Sequence, residues 1–163
     1  MANLIIVEGI PGSGKSTLIN RLVKQTQLSV FARPKNIQAL PSFHPENEDI
    51  IKQLSQDTIF DRFIWSDVVF SKVRHNLDVT EEFFRLRELL MKHHQYILIY
   101  MHSYNPIQTH SSYSNIDLAA MRGVYDWLIR DESTIVRLTK DNPSLNEVEV
   151  VTNLFSDLSK KGL

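Results

Sequence analysis

The chain has 163 residues, 42% of them hydrophobic and 23% charged, which is enough apolar content for one packed domain and excludes wholesale disorder. Lys and Arg number 18 against 19 Asp and Glu, so the net charge of −1 argues against a dedicated nucleic-acid binder. Cysteine is absent, which removes disulfides, thiolate nucleophiles and Cys-ligated zinc and fits a reducing, cytoplasmic setting.

No apolar run approaches the ~20 residues of a membrane span. Met1 to Ile10 carries Glu8 and no leading Lys or Arg, and reads as a strand rather than a signal peptide. Within it, Leu4 to Val7 is the continuous apolar run of a strand buried on both faces. A glycine-rich turn follows, then a helix over Lys15 to Thr26 with Leu18 and Leu22, and Ile19 and Val23, at i, i+4 spacing. Leu28 to Phe31 is a short second strand. Arg33 to Pro45 holds three prolines and reads as loop, Glu46 to Ser55 as helix, and Thr58 to Phe60 as a third strand. Helical periodicity continues through Val68, Val69 and Val73. Thr80 is positioned to cap a further helix whose Phe83, Leu86 and Leu90 share a face.

Tyr96 to Met101 is the next apolar strand, and His102 to Asn115 is polar without helical period, with 103–114 expected to form a lid-like loop. Asp117 to Arg130 reads as helix and Thr134 to Leu138 as the last strand. Ser144 and Glu147 form a capping-box pair before a helix with Leu145, Val148, Val151, Phe155 and Leu158 inward. Five alternations of strand and helix predict an α/β fold, a five-stranded parallel sheet covered by helices on both faces. Ligands of such sheets bind beyond the carboxyl ends of the strands.

Gly9-Ile10-Pro11-Gly12-Ser13-Gly14-Lys15-Ser16 satisfies the P-loop pattern, and three of the five glycines of the chain sit in it. Glycines let backbone N–H groups converge on phosphate oxygens, and the helix that follows aims its positive end at the same anion. Gly9, Gly12, Ser13, Gly14, Lys15, Ser16 and Thr17 are therefore the expected ATP-binding residues. Lys15 supplies a charge for the β- and γ-phosphates, and the Ser16 hydroxyl is the expected Mg²⁺ ligand.

Asp61-Arg62 follows the third strand, at the same sheet edge. Asp61 is placed to support Mg²⁺ or orient an acceptor, and Arg62 to grip a phosphate bidentately. The stretch Phe60 to Phe70, with Asp61-Arg62-Phe63, Ser66 and Phe70, resembles the thymidylate kinase signature Asp-Arg-aromatic, two residues, Ser, two residues, small, Tyr. Glu8 before the first glycine and Arg122 to Tyr125, similar to that family's Arg-x-x-Tyr, extend the likeness, and the small chain looks like phage or prophage members. The resemblance implies a nucleoside monophosphate kinase of the P-loop NTPase fold, a three-layer α/β/α domain spanning 1–163. By position it places Glu8, Arg33, Arg62, Phe63 and Phe70 at the acceptor, with Lys15, Asp61, Arg62 and Arg122 as the catalytic set. The implied partners are ATP, Mg²⁺ and a small nucleotide acceptor such as dTMP, with no membrane and no nucleic acid. Pairing of two copies through helices, common in the family, stays open.

The departures are specific. The family carries an arginine in the P-loop or lid, whereas this P-loop has Ile10, Pro11, Gly12 and Ser13 and the 103–114 segment has neither Arg nor Lys, so Arg122 is the nearest substitute. Ser71 stands where the family has Gln, and Phe43 or Phe63 is left to replace its base-stacking aromatic. Two other readings compete with the leading one. A hydroxyl-acceptor kinase, for deoxynucleosides or polynucleotide 5′ ends, would need Asp61 as base. Related deoxynucleoside kinases have Glu-Pro where this chain has Arg33-Pro34, which favours a phosphorylated acceptor. A nucleotide-binding module without efficient turnover is the third. Trp65 and Trp127 are expected to pack, and His93 and His94 to form a solvated helix end. His102 and His110 flank or sit in the lid, and Lys140-Asp141-Asn142 borders the donor base by analogy.

Overall fold

The computed structural model describes residues 1–32, 46–102, 113–139 and 145–161. The expectations for Arg33, Phe43, His110, Lys140 to Asn142, Ser144 and most of the 103–114 segment lie outside these residues. Five strands, β1 (Asn3–Gly9), β2 (Ser29–Ala32), β3 (Thr58–Asp61), β4 (Gln95–His102) and β5 (Ile135–Thr139), form one sheet in the order β2-β3-β1-β4-β5. Every pairing is parallel, as the alternation predicts. The helices are α1 (Lys15–Thr26), α2 (Asn47–Gln53), α3 (Ile64–His75), α4 (Thr80–His93), α5 (Asn115–Leu128) and α6 (Leu145–Lys161).

Strand alternation sorts the core into two layers. Leu4, Ile6, Leu98 and Tyr100 face one way, into a cluster completed by α2, α3, α4 and α5. Ile5, Val7, Ile97, Ile99 and Met101 face the other, against Leu18, Ile19 and Leu22 of α1 and Val148 and Val151 of α6. Glu8 follows Leu4 and Ile6 in this alternation, so its side chain enters the α3/α5 layer. Val7 pairs with Asp61 and Glu8 with Tyr100. That register brings the glycine turn, the Asp61-Arg62 turn and the end of β4 to one edge.

Several details differ from the sequence reading, shifts of one or two residues at element ends among them. The fifth helix begins at Asn115, two residues early, because Ser114 caps it: the Asp117 N–H donates to Ser114 Oγ at 3.1 Å and the Asp117 carboxyl accepts from the Ser114 N–H at 3.3 Å. Thr80 is the first residue of α4 and not its cap; its N–H and hydroxyl both donate to Asp78. His94 is buried rather than solvated: the Ala2 N–H donates to its Nδ1 at 3.0 Å, and its Nε2 lies 2.6 Å from the Ile51 carbonyl. One ring thereby ties β1 to the end of α2, as the neutral Nε2–H tautomer. Trp65 is fully buried between Phe83 and Tyr96, as expected, whereas Trp127 is 45% exposed beside Phe84.

Burial pushes the His94 pKa below 6.5. The unfolded chain therefore binds this proton first, and the stability that His94 contributes is present above pH 6.5 and is lost as pH falls through the depressed value. Wild type is expected to exceed His94→Gln by about 1–3 kcal/mol at pH 7.5, with the gap in Tm shrinking toward pH 5. A gap unchanged across that range would contradict the assigned tautomer.

Candidate active site

The glycine turn is shaped by close approach. Gly9 has φ +153°, and a Cβ there would lie 2.8 Å from the Met101 carbonyl oxygen and 2.8 Å from Ser13 Oγ. Gly12 and Gly14 also hold positive φ, 79° and 92°, and Gly14 is the N-cap of α1. Gly14 offers no side-chain cap and the first turn of α1 contains no acid. The start of that helix instead carries Lys15, a cation at the positive end of the dipole and the reverse of a stabilising arrangement. Lys15 is buried, and its Nζ donates to the Ile10 carbonyl at 3.1 Å and reaches Ser13 Oγ at 3.5 Å, both neutral. Desolvation first, then the nearby Arg62, drive its pKa well below the usual lysine value, with Asp61 and Glu8 opposing. An anion in this turn would offset both penalties by pairing with the two cations. Ser16 and Thr17 stand exposed in the same first turn.

Arg62 adopts φ +66° without being a helix C-cap, unlike Gln27 and Asn76. Left-handed backbone costs a non-glycine residue roughly 1–2 kcal/mol. The N–H groups on either side of its Cα are both held by β1: the Arg62 N–H donates to the Val7 carbonyl at 2.9 Å, and the Phe63 N–H donates to Glu8 Oε1 at 2.7 Å. The guanidinium lies over the Phe70 ring at 4.8 Å from its centroid. Phe70 in turn meets Tyr113 at 5.9 Å, and Arg74 covers Tyr113 at 4.5 Å. Asp61, at the end of β3, is partly exposed.

Glu8 occupies a place that the sequence did not foretell. It is fully buried, and its Oε1 also accepts a longer bond from the Ser66 N–H at 3.4 Å. Phe63 is the N-cap of α3 and has no polar side chain, so Glu8 supplies from β1 the cap that this helix lacks. Glu8 Oε2 accepts from the Ser66 hydroxyl and, at 3.1 Å, from the Tyr125 hydroxyl, and those two hydroxyls are 2.8 Å apart. Burial pushes the Glu8 carboxyl up from 4.5 to about 7, against the opposing pull of Ser66, Phe63 and Arg62. For a raised acid the unfolded chain ionises first, so this group works against folding as pH rises from 4.5 toward 7, at a cost of about 3 kcal/mol. The same burial, with Glu8 beside it, keeps Tyr125 a phenol and a donor.

Of the remaining candidates, Phe63 is fully buried, with its ring 4.6 Å from that of Phe60. Arg122 is partly buried one turn before Tyr125, in the field of the Tyr100 phenol. Tyr100 bonds Asp126 and also feels Arg137 of β5, a second arginine on a strand whose sequence carries no motif. Ser66 and Tyr125 were visible only as letters of the resemblance. Their joint contact with Glu8 spans 58 and 117 residues of chain, beyond the reach of any local pattern. Among the described residues no group of three or more His, Cys, Asp or Glu could hold a metal. An exposed Ser16 hydroxyl and the Asp61 carboxylate fit Mg²⁺, which keeps several waters and takes its other ligands from phosphates.

A family model described as the viral superfamily 1 RNA helicase core domain matches residues 5–75, the segment from β1 through α3 that carries both turns. No curated protein matches the chain in sequence. Many solved structures match its fold, among them three that superimpose over nearly its whole length. The YorR protein of Bacillus subtilis, in complex with phosphorylated GDP, is 18% identical with a TM-score of 0.72, over 97% of this chain and 98% of that one. Deoxyadenosine kinase from M. mycoides is 16% identical with a TM-score of 0.62, over 94% and 98%. Thymidylate kinase from Candida albicans is 14% identical with a TM-score of 0.57, over 99% and 92%. The chain has the fold of the P-loop kinases.

The strain at Arg62 has a measurable consequence. Arg62→Gly and Arg62→Ala both delete the guanidinium, but only glycine relieves the backbone. Arg62→Gly is expected to be the more stable by roughly 1 kcal/mol in denaturant unfolding; equal stability, or alanine ahead, would remove the strain from the account.

Proposed function

We propose that this protein is an ATP-dependent kinase of nucleoside monophosphates, with a deoxynucleotide of the dTMP type as acceptor, and that residues 1–163 form one kinase domain. The observation that carries the reading is the Lys15 ammonium, buried in the glycine turn against two neutral oxygens, with Arg62 in the turn that follows the neighbouring strand and is hydrogen-bonded to β1. One phosphate chain explains Lys15; a second phosphate explains Arg62.

In this reading Gly9 to Ser16 hold the donor phosphates through backbone N–H groups and the start of α1. Lys15 leaves its contacts with Ile10 and Ser13 for the β- and γ-phosphates. Arg62 holds the acceptor phosphate, one of whose oxygens forms the new bond to the γ-phosphorus as the bond to ADP breaks. Ser16 and Asp61 would hold Mg²⁺, which when bound spreads the charge of the transferring group. Phe70, pinned beneath Arg62, borders the acceptor, and Arg122 is the candidate to replace the absent lid arginine.

The likeness to deoxyadenosine kinase favours a second reading, transfer to a hydroxyl. A hydroxyl must give its proton to a base. Glu8 is already the acceptor of four donors inside the core, which leaves Asp61. A monophosphate is already ionised and requires no base, and it gives Arg62 a charge to bind.

The test is ADP formation from ATP-Mg²⁺ against deoxynucleoside monophosphates, the matching nucleosides and a 5′-hydroxyl oligonucleotide, with Lys15→Ala as blank. Turnover is expected on one or a few monophosphates, with Arg62→Ala raising acceptor KM at least tenfold, lowering kcat and sparing ATP binding. Turnover on hydroxyl acceptors alone would overturn the proposal in favour of Asp61 as base.

A further inference from the structure

Three buried oxygen-bearing side chains from three elements meet behind the Arg62 turn. Glu8 comes from β1, Ser66 from the first turn of α3 and Tyr125 from α5, and all three are buried. We infer that Ser66 and Tyr125 are positioning residues that act through Glu8: together they orient its carboxylate so that it holds the Asp61-Arg62-Phe63 turn, and with it the direction in which Arg62 addresses an anion. The identity of that anion as an acceptor phosphate rests on the function proposed above; the positioning does not.

The geometry leads from one group to the next. The direction of the Arg62 side chain depends on the peptides either side of its Cα. The first is held by the Val7 carbonyl and the second by Glu8 Oε1. The first bond continues the β1–β3 ladder and comes with the sheet. The second needs a side chain aimed correctly, because a carboxylate rotates about its last bond and both oxygens are alike. The Ser66 and Tyr125 hydroxyls break that equivalence by claiming Oε2, which leaves Oε1 for the Phe63 N–H. Tyr125 is itself located by ring contact with Tyr100, at 5.5 Å between centroids. Among the described residues the charged group that acts on Glu8 is Arg62 from the turn, and Lys15 of α1 feels Glu8 together with Arg62 and Asp61. Removal of the Tyr125 hydroxyl leaves the Ser66 hydroxyl as the one donor on Oε2 and so loosens the orientation of the carboxylate.

The reporter is the Nε–H resonance of Arg62 in protein labelled with ¹⁵N-arginine, assigned by its loss in Arg62→Lys. Tyr125→Phe deletes the hydroxyl and keeps the ring; Ser66→Ala deletes the other. Glu8→Gln, which retains an acceptor for the Phe63 N–H, serves if either fails to fold. Tyr100→Phe is the control, since its ring touches Tyr125 but its hydroxyl bonds Asp126. The inference expects the Arg62 resonance to shift or broaden in Tyr125→Phe and in Ser66→Ala and to stay in place in Tyr100→Phe. In the kinase assay it expects acceptor KM to rise about fivefold in Tyr125→Phe, with ATP KM within a factor of two. An Arg62 resonance unmoved in both folded variants overturns the inference whatever the kinetics show. A resonance that moves while no monophosphate is turned over upholds the positioning and sinks the proposed reaction instead.

Discussion

A lysine ammonium buried at the start of a helix, against the helix dipole and beside an arginine, is the constraint from which the rest of this structure follows. Each feature costs stability by itself: desolvation disfavours the charge, the dipole opposes it, and Arg62 repels it. The fold sustains the arrangement with local means, three glycines in positive φ and two neutral oxygens offered to Nζ. In the proposed reading the complement of this arrangement is a chain of phosphates, and the parallel sheet is the frame that sets the glycine turn and the β3–α3 turn at one edge.

The face of the sheet that carries Glu8 does a different task from the face that carries α1. On the α1 side Ile5, Val7 and Leu18 make an apolar seam that fixes the glycine turn in place. On the α3/α5 side the apolar alternation of β1 ends in a carboxylate, and that carboxylate caps α3 and steadies the turn before it. A Ser or Asp at the N-cap would have served the helix as well. Placing the acid on β1 instead joins the helix start to the strand that leads into the P-loop, so the two halves of the candidate site share one buried hydrogen-bond network. The raised pKa of Glu8 is the energetic trace of that choice.

Much of this was legible in the sequence. The P-loop pattern, the continuous apolar run before it and the five alternations were enough for the parallel sheet and for the edge at which the glycine turn and the Asp61-Arg62 turn meet, because each is a short-range signal. Helix α1 matched from Lys15 to Thr26 because its stripe and its glycine N-cap are both local. What escaped depended on residues distant in sequence. His94 has the neighbours of a helix end, and only Ala2, 92 residues away, and Ile51, 43 away, make it a buried link. The packing of Phe63 on Phe60 likewise depends on the turn at Arg62, which the motif does not describe. Glu8 was marked for the acceptor by position alone, since no pattern in 163 letters reveals that Ser66 and Tyr125 converge on it.

The central claim is that Lys15 and the glycine turn form a phosphate cradle, and its most direct measurement is the affinity of the wild-type protein for adenosine, AMP, ADP and ATP in turn, repeated with Lys15→Ala. The account predicts weak adenosine binding, a steep gain once a β-phosphate is present, and loss of most of that gain in Lys15→Ala. Adenosine binding as tightly as ATP, or an affinity for ATP indifferent to Lys15, would contradict it.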